Sequence, residues 1–238
     1  MHSVRRAIIM AAGRGNRLRP VTDTLPKPLI PVHGVPMIVG ILEALRSQGI
    51  EETYVVTGYR KEDFRFLETA YPGVTLIENP YYESCNNISS LYVAREHLSD
   101  VIILDGDQVV RNPDILRPDF VRSGYNAVWT EEETGEWLMT VENDRVTGCS
   151  RTGGSRGWQL YSVSRWSAED GARLRQDVAE AFESGNRQIY WDDVPLFVYP
   201  EHYELGVWPM AKEDLMEIDS LEELRAEDPA WREKTEKV

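Results

Sequence analysis

Apolar and polar positions follow two rhythms over the first 110 residues. Arg6–Met10 is an apolar run that closes on Ala-Ala-Gly, the pattern of a buried strand stopping at a turn. Met37–Gln48 instead places Met37, Ile38, Ile41, Leu42 and Leu45 on one side of a 3.6-residue period and stops at Gly49, which predicts a helix. The alternation continues with a strand over Glu52–Thr57, a helix over Lys61–Tyr71, a strand over Val74–Glu78, a helix over Ser89–His97 and a strand over Val101–Asp105. Strands and helices in strict alternation predict right-handed βαβ crossovers and a mainly parallel sheet.

Past Asp105 the pattern loosens. Asn126–Thr130, Leu138–Glu142 and Gln159–Ser164 read as strands between Gly-rich turns, with RTGGSRG (Arg151–Gly157) the most flexible stretch, expected to act as a lid that orders on substrate binding. Ala168–Ser184 is an amphipathic helix, and Leu215–Ile218 and Leu221–Glu227 give a last strand and helix. The chain shows no internal repeat and no low-complexity segment. At 238 residues and 42% hydrophobic content it supplies one sizeable core, so a single domain over residues 1–238 is expected, with residues 1–110 as a nucleotide-binding half and 111–238 as an acceptor-binding half.

Charge narrows the range of partners. The net charge of −14 argues against nucleic acid, yet residues 1–61 hold 9 Lys/Arg against 4 Asp/Glu. A basic segment inside an acidic protein suits a small polyanion. The apolar run near the N-terminus is too short for a secretion signal or a membrane span, so a cytoplasmic location is expected. Cys85 and Cys149 are far apart and lack metal-ligand spacing, so they are expected to be buried small side chains.

The segment after the first strand carries the chemistry. In Ala11-Ala12-Gly13-Arg14-Gly15-Asn16-Arg17-Leu18-Arg19-Pro20 the glycines let backbone N–H groups approach phosphate oxygens, and three arginines add positive charge. Lys27 follows between Pro26 and Pro28, which stiffen the chain around it. A dinucleotide-binding turn would need a third glycine where this chain has Leu18, and a Walker loop would need GK[ST], which is absent.

The stretch IIMAAGRGNRLRPVTDTLPKPLIPVHGVPMI resembles the signature of the nucleotidyltransferases that make nucleotide-activated sugars and alcohols, and NNISSLY, LDGD, GEW, YWD and EIDS follow in matching order. Within that superfamily the chain is most similar to the bacterial CTP:phosphocholine cytidylyltransferases. The resemblance implies an α/β, Rossmann-like fold with a mainly parallel central sheet flanked by helices and a smaller acceptor-binding β/α region. It also implies transfer of CMP from CTP to phosphocholine, with CDP-choline and pyrophosphate as products and Mg²⁺ as cofactor.

Site residues follow from the same resemblance. Asp107 and Asp219 are expected to hold Mg²⁺, with Glu217 in support; a strand end in a parallel sheet is where ligands bind, although an isolated Asp-Gly-Asp is more often a plain turn. Arg17 is expected to cradle the leaving pyrophosphate and Lys27 to bind the α-phosphate. Ala11, Ala12, Gly13, Gly15, Asn16, Tyr81, Asn87, Ser90 and Asp105 are expected around the nucleotide. Trp137, Tyr190, Trp191 and Asp192 are expected around the acceptor, because aromatic faces beside a carboxylate cage a quaternary ammonium; ordinary core packing is the competing role for each aromatic. A phosphate nucleophile is already anionic near neutral pH, so no general base is required.

Three alternatives stand beside this reading. The acceptor is 2-aminoethylphosphonate, or it is a sugar 1-phosphate, although Glu142–Arg156 lacks the Glu-Lys-Pro of sugar-specific members. A non-catalytic nucleotide-binding domain would be expected to lose Arg17, Lys27, Asp107 or Asp219, and all four are present.

Overall fold

The computed structural model describes residues 1–235. Its frame is a nine-stranded mixed sheet. The first half supplies β1 (Arg6–Ala11), α1 (Met37–Ser47), β2 (Glu52–Thr57), α2 (Phe66–Ala70), β3 (Val74–Glu78), α3 (Ile88–Ala94), β4 (Val101–Asp105) and β5 (Gln108–Val110). The second half supplies β6 (Gly124–Thr130), β7 (Leu138–Glu142), β8 (Arg145–Ser150), β9 (Gly157–Trp166), α4 (Ala168–Glu183), β10 (Gly206–Pro209), β11 (Leu215–Glu217), α5 (Leu221–Glu227) and α6 (Ala230–Thr235).

β1 lies at the centre, parallel to both neighbours, with Ile8 opposite Tyr54 on β2 and Ile103 on β4. The order across the sheet is β8-β7-β9-β4-β1-β2-β3, with β6 beside β9 and β10 beside β6. The parallel part ends at β4, where β9 joins antiparallel. From Ala7 onward β1 is apolar because helices cover both faces. Its two-residue period sends Ala7, Ile9 and Ala11 into the cluster under α1, and Ile8 and Met10 into the cluster under α3 and α4.

A third, smaller cluster positions the site. Leu18, Ile30, Val32 and Met37, from the Gly-rich loop and the segment after it, pack with Ile218, Leu224 and Trp231 from the C-terminal end. The antiparallel ribbon of β5 and β11 pairs Gln108 with Glu217, and Ile218 N donates to the Asp107 carbonyl at 3.3 Å. Asp107 and Asp219 therefore meet although more than a hundred residues separate them.

Several elements differ from the pattern-based expectation. Lys61–Tyr71 is a 3₁₀ turn over Lys61–Phe64 followed by the short α2, since only Phe64 and Leu67 within those two elements reach the core. The helix expected over Ser89–His97 is α3 with a 3₁₀ turn over Arg95–His97. β5, β8 and β10 are short or half-exposed strands with no clear apolar alternation. Cys85 and Cys149 are half-buried rather than buried, and both are free thiols. Among the described residues no helix is long and apolar enough to cross a membrane.

Candidate active site

The turn after β1 is built for close contact. Gly15 has φ of 63°, and a Cβ there would lie 2.9 Å from the Lys27 Cβ and 3.0 Å from the Thr22 Cγ2, so its left-handed conformation and the crowding both call for glycine. Asn16–Leu18 forms a 3₁₀ turn in which buried Leu18 anchors the loop while Arg17 points outward. Lys27 opens another 3₁₀ turn and is 7% exposed, its ammonium directed into the cleft.

Two cavities meet along this loop. The first, of about 360 Å³, is lined by Gly13, Gly15, Asn16, Arg17, Lys27, Asp107 and Asp219, with Met10, Ala11, Leu18 and Pro28. The second, of about 310 Å³, is lined by Asp105, Glu136, Trp137, Leu160, Ser162, Tyr190, Asp192 and Glu217, and shares Arg17, Asp107 and Asp219 with the first. The shared residues form the boundary where a group in one cavity can reach a group in the other.

At that boundary Lys27 Nζ stands 2.5 Å from Asp107 Oδ2 and 2.7 Å from Asp219 Oδ1, and Arg17 Nη2 stands 2.8 Å from Asp219 Oδ1. Burial opposes the lysine charge, but the two carboxylates outweigh it and hold the amine above its usual pKa. The second cavity has six carboxylates and one guanidinium on its wall. Desolvation, then the charges of Asp107 and Glu217, push Asp105 well above the usual carboxyl range. Desolvation also raises Glu217 to about 7, against a 2.9 Å hydrogen bond from Gln108 Nε2.

Asp192 reaches about 7 as well, mainly through burial. The buried Tyr125 hydroxyl faces this carboxyl and favours its charged form, against the larger effect of burial. A carboxylate buried at a cavity wall is costly to ionise, and a cationic ligand beside it offsets that cost.

Asp107 and Asp219 fit a hard divalent cation. Their carboxylates converge on one point, held by the Lys27 ammonium, and the donor set is oxygen only. No group of three or more His, Cys, Asp or Glu in metal-binding geometry occurs among the described residues, so phosphate oxygens and water would complete such a shell.

The structure brings most of the expected residues together and sets others apart. Ala11, Gly13, Gly15, Asn16, Arg17, Lys27, Asp107 and Asp219 share the first cavity, while buried Ala12 uses its carbonyl to accept from Tyr59 N. Asp105, expected on the nucleotide, is the last residue of β4 and lines the second cavity, whereas Asp107 lines both. Tyr81, Asn87 and Ser90 line neither cavity. Tyr81 packs on Phe182 and Tyr92, Ser90 Oγ accepts from Asn79, and Asn87 Oδ1 accepts from Trp191 N at 2.8 Å.

Trp191 also departs from the cage expected for it. It is 2% exposed, stacking on Tyr125 and meeting Trp166 edge-on in the core, whereas Trp137 and half-exposed Tyr190 reach the second cavity. Glu136 and Ser162 were not singled out by the sequence. Glu136 adjoins Trp137 in the GEW motif and was legible there, but Ser162, inside a strand, carried no signal.

Comparison with known proteins identifies the family and the fold. The sequence profile of the MobA-like NTP transferase domain matches residues 7–187. A 2-aminoethylphosphonate cytidylyltransferase of Lancefieldella rimae is 39% identical over 94% of this chain and 92% of its own length. A choline-phosphate cytidylyltransferase of Streptococcus pneumoniae is 34% identical over 92% of this chain and 95% of its own. The solved CTP:phosphocholine cytidylyltransferase from Streptococcus pneumoniae superposes with a TM-score of 0.88 at 32% identity, covering 95% of this chain and 99% of that one. An inositol-1-phosphate CTP transferase from T. maritima, at 18% identity and a TM-score of 0.76, shares the fold.

Proposed function

The chain belongs to the MobA-like NTP transferase domain family, and from that premise we propose that it transfers CMP from CTP to a small phosphonate or phosphate whose other end carries an ammonium group. The observation that carries this reading is the junction of the two cavities. A Gly-rich basic loop suited to phosphate and an acid-walled pocket share Arg17, Asp107 and Asp219.

In this reading the acceptor's phosphonate or phosphate oxygen attacks the α-phosphorus of CTP, the bond to the bridging oxygen of the β-phosphate breaks, and pyrophosphate leaves. Arg17 binds the departing pyrophosphate, and Lys27 turns from the carboxylates to the α-phosphate, where charge builds up. Asp107 and Asp219 would hold Mg²⁺, which when bound supplies further neutralisation of the phosphate charge. Asp192 draws the acceptor's ammonium to the far end of the second cavity.

A primary ammonium, as in 2-aminoethylphosphonate, suits this pocket best. Its N–H groups can donate to the carboxylates of the cavity wall, whereas a quaternary ammonium presents only methyl groups and donates to none of them. The 39% identity to the Lancefieldella rimae enzyme supports the same choice. Phosphocholine is the second reading, favoured by the Trp137 and Tyr190 rings, whose centroids lie 5.9 Å apart at 88°.

Pyrophosphate release with Mg²⁺ tests both, crossing CTP, UTP, dTTP and ATP against 2-aminoethylphosphonate, phosphocholine, phosphoethanolamine and glucose 1-phosphate. Preference for CTP with 2-aminoethylphosphonate is the expected result. Preference for phosphocholine selects the second reading, and activity confined to the sugar phosphate overturns both.

A further inference from the structure

Asp192 and Asp193 are adjacent acids with opposite circumstances. Asp192 lines the second cavity and, among the described residues, has no cationic side chain paired with it. Asp193, its side chain 5% exposed, is absent from the lining and fully engaged. Its Oδ1 accepts from Arg151 Nε at 2.7 Å and is also reached by Arg151 Nη2, while its Oδ2 accepts from Tyr190 N at 2.8 Å.

Arg151 sits in the turn after β8, in the Gly-rich stretch expected to act as a lid, and hydrogen bonds tie that turn to the segment that bears Trp137. Thr134 and Gly154 exchange backbone hydrogen bonds at 2.9 and 3.0 Å, and Gly153, with φ of 71°, approaches so closely that a Cβ would lie 1.8 Å from the Thr134 carbonyl oxygen. Thr134 stands just ahead of Glu136 and Trp137 in the same segment.

The Arg151 guanidinium also covers Phe197 at 3.7 Å from the ring centroid, and Phe197 meets Trp137 edge-on at 5.4 Å. One guanidinium therefore reaches both aromatic residues of the cavity wall. It holds Tyr190 through Asp193 and the Tyr190 backbone N–H, and it meets Trp137 both directly, 5.9 Å from the ring centroid, and through Phe197, without lining the cavity.

We propose that the Arg151–Asp193 pair is a positioning device for the acceptor, setting the separation between Trp137 and Tyr190 so that the ammonium meets Asp192. Pairing also removes Asp193 as a competing counter-charge, leaving Asp192 as the open one. The proposal rests on the reading of the second cavity as the acceptor site.

The test compares R151A, R151K, D193N and D193A with the unaltered enzyme by pyrophosphate release, together with amide hydrogen exchange. R151A and D193N should each raise the acceptor KM about tenfold or more, since displacement of a positioned group by about 1 Å costs up to 10²-fold. The KM for CTP should stay within about twofold. R151K should recover part of the loss, and D193A, which also frees the Tyr190 N–H, should exceed D193N.

The double variant R151A/D193N should be no worse than the worse single variant, because both changes remove one interaction. Exchange at Tyr190 should quicken in R151A and D193A while Arg6–Ala11 stays protected. An unchanged acceptor KM in R151A and D193N would overturn the proposal, and so would a parallel rise of both KM values with a lowered Tm, which marks a purely structural role. If the unaltered enzyme releases no pyrophosphate with any ammonium-bearing acceptor, the functional reading fails first and the proposal falls with it.

Discussion

Lys27 and Asp219 lie 192 positions apart in the chain and meet with Nζ 2.7 Å from Oδ1. The same ammonium is 2.5 Å from Asp107 Oδ2, so one cation joins both expected metal carboxylates. Lys27→Ala should lower turnover by about 10²–10³-fold, the range for losing one charge-stabilising donor. It should also leave the two acids without their ammonium, so the variant should melt below the unaltered enzyme in EDTA and regain part of the difference on adding Mg²⁺. A melting temperature indifferent to Mg²⁺ would count against a metal site at these two residues.

Asp107→Ala and Asp219→Ala should each reduce kcat by roughly a thousandfold, the scale of several kcal/mol of transition-state stabilisation. Circular dichroism should remain that of the folded protein, since both side chains are partly exposed at 28% and 35%. Steady-state kinetics over a Mg²⁺ titration measures this.

Asp192 should make acceptor binding pH-dependent. Burial raises its pKa to about 7, so it is neutral below that pH and able to pair with an ammonium above it. The acceptor KM should fall as pH rises from 6 to 8, and Asp192→Asn should raise KM and flatten the profile.

The same group predicts a stability trend. In the unfolded chain Asp192 ionises near its ordinary pKa of about 3.9, so between that pH and about 7 the folded state binds the extra proton. Its contribution to stability is thus full below about 4 and is lost as pH rises toward 7. Asp192→Asn removes that loss and should gain most in relative melting temperature at pH 8. An equal difference at pH 5 and pH 8 would contradict this assignment.

Trp137 and Trp191 should respond to truncation in opposite ways. Trp191→Ala empties a buried site between Tyr125 and Trp166 and should cost about 3–5 kcal/mol of stability by denaturant unfolding. Trp137→Ala, at a half-buried cavity wall, should chiefly raise the acceptor KM.

Gly15→Ala forces a side chain into a φ of 63° against the Lys27 stem. It should cost about 1 kcal/mol or more of stability and raise the KM for CTP, because the loop and Lys27 cannot both hold their places.

By itself the sequence determined the alternating strands and helices of the first half, the parallel sheet they form, and the Gly-rich loop with its arginines and lysine. These are signals of local period and local backbone demand: Ala7, Ile9 and Ala11 alternate with Ile8 and Met10 because both faces of β1 are covered, and Gly15 is glycine because its neighbours leave no room. The family resemblance then ordered Asp107 and Asp219 as a pair before any geometry was available.

Tertiary structure alone decided which of several adjacent residues faces the chemistry. Asp105 and Asp107 flank one glycine and line different cavity sets; Asp192 is open and Asp193 is clasped by Arg151; Trp191 belongs to the core and Tyr190 to the pocket. In turns and irregular loops there is no repeating period to assign a side chain to a face. Its direction is set by what packs there from distant parts of the chain, here Arg151 on Asp193 and Asn87 on the Trp191 backbone.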